Sequence, residues 1–157
     1  RRCRMPLRTF GAIADLAPLV GQELSLSDWF PVSQERIAIF ADATDDHQWI
    51  HLDTERARAE SPYKSTIAHG FLTLSLLVPL FASALSIGGT KLSVNYGLNR
   101  IRFTSAVLAG DRVRGRFTLQ EYTDLAPGAQ LTWKSAIERE GAEKPAVIAE
   151  WIMRRYP

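Results

Sequence analysis

The spacing of apolar residues changes from a helical to an alternating period near Lys91. Before that point, apolar residues recur at helical spacing in two stretches, residues 34–44 and 70–81. After it, they alternate with polar residues in four stretches separated by turns, a pattern typical of antiparallel strands. One more strand is expected around residues 23–30. A sheet wrapped around a single buried helix accounts for this order of elements.

The first helical stretch has clear ends. Ser33 is a suitable cap for a helix over residues 34–44, in which Ile37, Phe40 and Ala41 share one face. The chain is then expected to turn through residues 45–52. The sequence also predicts a short polar helix over residues 54–60, capped by Asp53.

The second helical stretch is apolar on nearly every side from Phe71 to Phe81, whereas a surface helix shows one apolar stripe. We therefore expect other structure to enclose it. Pro79 removes one backbone hydrogen bond and should bend the helix or start a new turn.

The alternating region contains one phase slip. Apolar residues occupy even positions up to Leu98, but Ile101 and Phe103 occupy odd ones. This slip predicts a β-bulge near residues 99–100. The later strands should direct one apolar face toward the helix. The residues of that face are Val113, Phe117, Leu119, Leu131, Trp133, Ile137, Val147, Ala149, Trp151 and Met153.

Composition limits the class of protein. The 157 residues suit one domain, which we assign to residues 20–157 after a tail and lead-in over residues 1–19. A net charge of +2 does not favour nucleic-acid binding. The one cysteine, Cys3, can form no internal disulfide, so a reducing, cytoplasmic compartment is expected.

No export or membrane segment is predicted. Three arginines precede a mildly apolar stretch over residues 10–20, but Asp15 and Pro18 interrupt it and no small-x-small cleavage site follows. The apolar run over residues 71–85 is shorter than the ~18–20 residues that a membrane helix needs.

Candidate chemistry is concentrated in residues 45–51. Asp46 and His51 place a carboxylate and an imidazole five residues apart at the end of a predicted helix. Such a pair can share a water, one group removing its proton while the other delivers a proton elsewhere. The alternative is a simple turn, in which Asp46 caps the next segment and His51 packs on a strand. Asp45 and His47 are expected to point away from this pair.

A second candidate is the start of the apolar helix at Gly70. The first N–H groups of a helix have no intrahelical acceptor, and glycine lets a carbonyl approach them closely. The alternative is that Gly70 only permits close packing. A base, an acid and an oxyanion-binding helix end together suit proton transfer beside a thioester carbonyl.

Metal binding is not predicted. His47 and His51 are four residues apart and would share a face of a continuous helix. However, the turn-like sequence between them makes such a helix doubtful. No nucleotide-binding glycine motif occurs either, so no cofactor is expected.

The segment from Lys91 to Arg116 is basic, with six cationic residues and one acidic residue, Asp111. Two interpretations are open. The excess charge could bind the phosphates of coenzyme A or an acidic carrier-protein surface. Alternatively, the charges alternate on a solvated strand face.

Three segments in this order resemble the MaoC-like single-hotdog family, which includes (R)-specific enoyl-CoA hydratases and NodN-like proteins. Residues 45–51 (Asp-Asp-His-Gln-Trp-Ile-His) match the hydratase signature Gly-Asp-x-Asn-Pro-(Leu/Ile)-His. Residues 67–71 match the start of the family's central helix, and residues 95–103 match the strand that follows it. The resemblance implies an α+β hotdog fold, a curved antiparallel sheet around a central helix. It also implies a homodimer.

The resemblance implies catalytic roles for Asp46, His51 and Gly70. The implied reaction is reversible syn hydration of a trans-2-enoyl-CoA to a (3R)-3-hydroxyacyl-CoA, with coenzyme A as part of the substrate. A dehydratase, a hotdog thioesterase and a non-catalytic acyl-CoA-binding protein are the alternatives. Substrate contacts are expected from Trp49, His69, Phe71, Tyr96, Asn99, Arg100 and Arg102.

The chain departs from the family signature at several positions. Asp45 replaces the glycine, and Gln48 and Trp49 replace Asn-Pro. Some hydratases carry a serine in the central helix that supports the histidine, and Val78 stands at that place here. Another group must therefore orient His51.

Overall fold

The computed structural model describes residues 6–157. Cys3 and the three arginines near the N-terminus lie outside this range. The helices are α1 (Gln34–Thr44), α2 (Trp49–Leu52), α3 (Thr54–Glu60), α4 (Gly70–Ser75) and α5 (Leu77–Ala84), after a 3-10 helix at Ile13–Leu19. The strands are β1 (Arg8–Phe10), β2 (Glu23–Leu26), β3 (Phe30–Pro31), β4 (Leu85–Ile87), β5 (Leu92–Phe103), β6 (Arg112–Asp124), β7 (Ala129–Arg139) and β8 (Val147–Tyr156).

The main sheet is antiparallel and has the order β2-β6-β7-β8-β5, with β3 also paired to β6. The strand expected around residues 23–30 is therefore two short strands, both paired with β6. The predicted apolar faces are confirmed, because Val113, Phe117, Trp133 and Trp151 are buried against the helix. This is the hotdog fold that the sequence predicts.

The segment before residue 20 differs from the expected tail. β1 pairs in parallel with β4, and the Arg8 guanidinium donates a hydrogen bond of 3.0 Å to the Leu24 carbonyl. Ile13 and Leu16 of the 3-10 helix are buried in the main core. Residues 8–19 therefore pack with the domain.

The central helix is divided at Leu76 into α4 and α5. Pro79 lies in the first turn of α5, where a missing N–H removes no intrahelical bond. The predicted loss of a helical hydrogen bond at Pro79 is therefore wrong, whereas the predicted new turn is present and begins at Leu77. Phe81 anchors α5 on the sheet, with its ring edge-on to Phe117, Trp133 and Trp151 at centroid distances of 5.1, 5.0 and 5.6 Å.

The helix is not enclosed on every side in the single chain. Phe71 is 70% exposed and Val78 is 49% exposed. The expectation of complete enclosure is therefore wrong for one protomer.

The strand β5 forms one edge of the sheet and is exposed along nearly its whole length. The predicted bulge is confirmed, because two residues between Leu98 and Ile101 oppose one residue of β8. A second irregularity at Tyr96 was not predicted. No helix within residues 6–157 is long and apolar enough to cross a membrane.

Candidate active site

The loop after α1 presents Asp46. Ser33 caps α1 by accepting a hydrogen bond from the Arg36 N–H, and Asp45 ends the helix in the left-handed region at φ 57°. Asp46 follows with an exposed side chain whose Oδ1 accepts a hydrogen bond of 3.4 Å from the Gln48 N–H. His47 points elsewhere, as expected, because its side chain pairs with Asp42 at 2.8 Å. The carboxylate of Asp46 is therefore available to a ligand.

His51 lies on α2 and is only 6% exposed. This short helix lies where the sequence was expected to form a turn. Its Nδ1 is 2.7 Å from the Ile67 carbonyl oxygen, which can only accept, so Nδ1 carries the proton. In the neutral ring Nε2 is then an acceptor. The Ile67 carbonyl thus supplies the orienting contact that Val78 cannot provide.

Burial lowers the pKa of His51 below its usual value of 6.5. The hydrogen bond to Ile67 and the charge of Asp46 oppose this shift, while the neighbouring His69 adds to it. The imidazole is therefore held in its neutral form at neutral pH.

Asp46 and His51 both lie beside a third residue, His69, which occupies the N-cap position of α4 but makes no side-chain capping hydrogen bond. Each of the three side chains offers an oxygen or ring nitrogen, and these atoms all lie within 4.8 Å of one another. The His69 ring is stacked on His51 with centroids 3.7 Å apart and an interplanar angle of 26°. The fold therefore brings the side chains of Asp46 and His51 close together, and their catalytic roles stay a prediction.

Within residues 6–157, these three side chains are the group whose atoms are close enough together to be considered as metal ligands. The lone pairs of the imidazoles lie in the ring planes, and these planes are tilted by only 26°. Two such lone pairs do not converge on one ion at the ~2.0–2.1 Å that zinc requires. The arrangement suits proton transfer better than metal ligation.

Gly70 is the first residue of α4 and borders a cavity of about 280 Å³. The other residues of its lining are Tyr63, Ile67, Ala68, Thr73, Phe103, Thr104, Ser105, Ala106, Val107, Ala146 and Val147. A Cβ atom at Gly70 would lie 3.2 Å from the Phe103 ring, so the glycine keeps this approach open. The N–H groups of the first turn have no intrahelical acceptor and can serve a ligand in the cavity.

Gln34 was missed by sequence reasoning. Its Nε2 donates a hydrogen bond of 2.8 Å to the His51 carbonyl, and its Oε1 accepts one from the Thr66 hydroxyl. These bonds tie α1, α2 and the loop before α4 together around His51. No sequence signal distinguishes this glutamine from a solvated residue in the first turn of a helix.

The expected substrate contacts are dispersed. Trp49 lies under the Arg56 guanidinium at 4.3 Å, and Phe71 is edge-on to Phe103 at 6.3 Å. His69 is the one candidate in contact with both Asp46 and His51 within residues 6–157. The remaining candidates lie on the edge strand β5, where no hydrogen bond, ion pair or ring contact within residues 6–157 joins them to Asp46 or His51. They are Tyr96, Asn99, Arg100 and Arg102.

The basic segment is partly neutralised by distant glutamates. Arg112 pairs with Glu140, while Arg114 and Arg116 both contact Glu138. These arginines join neighbouring strands, in agreement with the interpretation as charges on a strand face. In the described part of the chain, Arg100 and Arg102 have no carboxylate partner.

The state of His51 predicts a pH-dependent stability. Because its pKa is lower in the folded than in the unfolded chain, the unfolded chain binds more protons, and the free energy of unfolding should fall as pH drops below about 6.5. His47 acts oppositely, because Asp42 raises its pKa and its contribution is lost as pH rises. Urea unfolding between about pH 5 and 8 should show a shallower decline toward acid for His51→Asn.

The matched control is His47→Gln, which should make the decline toward acid steeper. Equal slopes in the wild type and in His51→Asn would contradict the assignment of a neutral, buried His51.

The chain is similar to known proteins over most of its length. The MaoC like domain family matches residues 15–138. The chain is 48% identical over 149 residues to "3-hydroxyacyl-thioester dehydratase Z" of Mycobacterium tuberculosis, covering 94% of this chain and 98% of that protein. It is also 48% identical over 145 residues to nodulation protein N of Rhizobium leguminosarum, covering 90% and 89%.

Solved structures show the same architecture. The (R)-hydratase from A. caviae, described as involved in PHA biosynthesis, matches with a TM-score of 0.66 and 28% identity, covering 88% of this chain and 96% of that chain. A monoamine oxidase regulatory protein from Archaeoglobus has a TM-score of 0.75 at 20% identity, covering 96% and 97%.

Proposed function

Because the chain belongs to the MaoC-like family, we propose that it is an (R)-specific enoyl-CoA hydratase. Hydro-lyase activity on acyl thioesters is supported by the relatives that carry the name dehydratase or hydratase. The reaction is the reversible syn addition of water to a trans-2-enoyl-CoA, which gives the (3R)-3-hydroxyacyl-CoA. The observation that carries the proposal is an exposed Asp46 carboxylate beside a buried, neutral His51.

In the proposed reaction, a water lies between Asp46 and Nε2 of His51. Its oxygen forms the new bond to C3 while Asp46 takes one of its protons. The π electrons move onto the thioester, so its carbonyl oxygen becomes an enolate oxygen. Nε2 of neutral His51 carries no proton, so the proton that it passes to C2 reaches it from the water through Asp46. One proton leaves the water and one reaches C2, on the same face.

The enolate oxygen would accept a hydrogen bond from the Gly70 N–H at the start of α4. A preorganised donor of this kind stabilises a developing oxyanion by about 3–4 kcal/mol in comparable sites. The cavity beside Gly70 supports this proposal, because it offers space for the thioester next to the start of α4.

The reverse reaction uses the same groups in the opposite order. The mycobacterial relative is named for dehydration of a 3-hydroxyacyl thioester, which supports this direction as the second candidate. We assign the half-buried Trp49 and the exposed Phe71, Tyr96, Asn99, Arg100 and Arg102 to substrate contacts as part of the proposal. The cytoplasm is proposed as its compartment.

The test is the loss of enoyl-thioester absorbance when the purified protein meets crotonyl-CoA and then a series of longer trans-2-enoyl-CoAs. Loss without release of free thiol supports hydration. Release of free coenzyme A would instead identify a thioesterase. Binding of these thioesters with no turnover along the series would identify a non-catalytic binding protein and overturn the proposal.

We also propose a homodimer in which β5 pairs with the same strand of a second copy. Leu92, Val94, Tyr96 and Leu98 are exposed on this edge strand, together with Phe71 and Val78 of the central helix. An apolar sheet edge left open invites pairing with another strand. Pairing would also cover the helix face that the single chain leaves open.

The dimer predicts a sensitive position at Leu98. Leu98→Glu places a charge in the proposed interface, so the protein should elute as a monomer in size-exclusion chromatography with light scattering. Ile39→Glu is the matched control, because Ile39 is exposed on α1, and this variant should keep the wild-type mass. A dimeric Leu98→Glu protein, or a monomeric wild type, would contradict pairing through β5.

A further inference from the structure

His69 is buried between the candidate catalytic residues. It is 3% exposed, with its ring stacked on His51 and tilted against Phe40 at a centroid distance of 5.0 Å. A side chain in this position has little surface to offer a substrate. The interpretation of His69 as a substrate contact therefore does not fit its burial, and its contacts within the protein indicate another role.

The first contact is with the Asp46 loop. Nε2 of His69 lies 3.0 Å from the main-chain carbonyl oxygen of Asp46, so Nε2 carries the proton and donates it. The Asp46 carboxylate is exposed, and the hydrogen bond that it accepts from the Gln48 N–H is long, at 3.4 Å. The His69 bond is thus the contact that fixes the Asp46 backbone against the buried part of the site.

An imidazole at position 69 lowers the stability of the folded state. With Nε2 protonated, Nδ1 is an acceptor, and it is buried without a hydrogen-bond partner among residues 6–157. A buried polar atom left unsatisfied destabilises the folded state. An apolar ring would fill the space between Phe40 and His51 without this cost. Packing alone therefore does not account for a histidine here.

The second contact is with the His51 ring. The two rings are 3.7 Å apart and nearly parallel, so the His69 ring blocks one face of His51. The Ile67 carbonyl fixes the His51 ring in its own plane at Nδ1. The two contacts together leave Nε2 of His51 in one orientation.

We propose that His69 is a positioning residue that holds Asp46 through the main-chain hydrogen bond and His51 through ring stacking. This inference rests on the proposed function of the site. It adds to that function a buried side chain, His69, that holds the base Asp46 and the acid His51 in place relative to each other.

Two substitutions separate the two contacts. His69→Gln keeps a side-chain N–H for the Asp46 carbonyl but removes the stacked ring. His69→Phe keeps a stacked ring but removes the donor. Each should lower kcat by roughly 10–100-fold, as loss of a supporting hydrogen bond does in comparable sites, with KM changed by less than about threefold. His47→Gln in the same loop is the control and should keep wild-type kcat.

A readout independent of turnover is the imidazole nitrogen NMR spectrum. In the wild type, His69 should show a protonated Nε2 and an unprotonated Nδ1. The titratable groups that face His51 are Asp46 and His69. Because burial lowers the pKa of His51, loss of the stacked ring in His69→Gln should move that pKa toward its usual value, whereas the ring of His69→Phe should keep it low. If the wild type hydrates no enoyl thioester, the proposed function fails, while this spectrum still tests the placement of His69.

Wild-type kcat in either folded variant would overturn the proposal. A protonated Nδ1 in wild-type His69 would overturn it as well, and that measurement needs no variant. If the His51 titration were the same in His69→Gln as in the wild type, ring stacking would not position His51, and the proposal would be overturned.

Discussion

Asp46→Asn is expected to lower kcat/KM for enoyl-CoA hydration by roughly 10²–10⁴-fold, the usual contribution of a positioned general base. The amide has the shape of the carboxylate and can still accept the hydrogen bond from the Gln48 N–H. It is, however, too weak a base to take a proton from water. Because the side chain is exposed, the melting temperature should change little.

Asp45→Asn is the matched control for this prediction. Asp45 is also exposed and ends α1 at a positive φ of 57°, which asparagine tolerates well. This variant removes a neighbouring negative charge and should keep nearly wild-type activity. Full activity in Asp46→Asn, or an equal loss in Asp45→Asn, would show that Asp46 is not the base.

His51→Asn is expected to lower kcat by a similar factor of roughly 10²–10⁴. The asparagine amide can replace Nδ1–H as the donor to the Ile67 carbonyl, but it has no basic atom in the place of Nε2. The proton taken from water then has no route to C2. Some loss of stability is also expected, because the stacked contact with His69 disappears.

Circular dichroism and the urea midpoint separate loss of chemistry from loss of fold in this variant. His47→Gln, at an exposed histidine paired with Asp42, should change neither kcat nor the fold. If His51→Asn kept more than about a tenth of wild-type kcat while folded, His51 would not be part of the proton path.

Much of the fold could be predicted because its signals are local. Capping at Ser33 and Asp53, the apolar alternation in β6–β8 and the phase slip in β5 each depend on neighbouring residues alone. The start of α4 at Gly70 was also predicted correctly. These elements are long or have distinctive ends.

The rest depends on contacts between distant parts of the chain. The pairing of β1 with β4 and the burial of Leu16 have no periodic signal in a short segment. The glutamates that neutralise the arginines of β6 come from β2, β7 and the residue after β7. Charge counted along the sequence therefore overstated the basic surface.

The candidate site was likewise predictable where its signal is local and not where it depends on distant contacts. The spacing of Asp46 and His51 was visible in one motif, whereas the support of His51 comes from two other segments, α1 and the loop before α4. Ile67 orients its ring, Gln34 binds its carbonyl and His69 stacks on it. Polar residues of this kind look like surface residues until the chain is folded around them.

The open edge at β5 links the lifetime of the enzyme to its concentration. If two copies cover this edge, dissociation into protomers precedes or accompanies unfolding, and mass action makes the apparent melting temperature rise with protein concentration. A dilute assay would then meet a population with uncovered apolar strands, prone to slow loss of activity on surfaces and by aggregation. The protein would then lose activity more slowly in a concentrated stock solution than in a dilute assay.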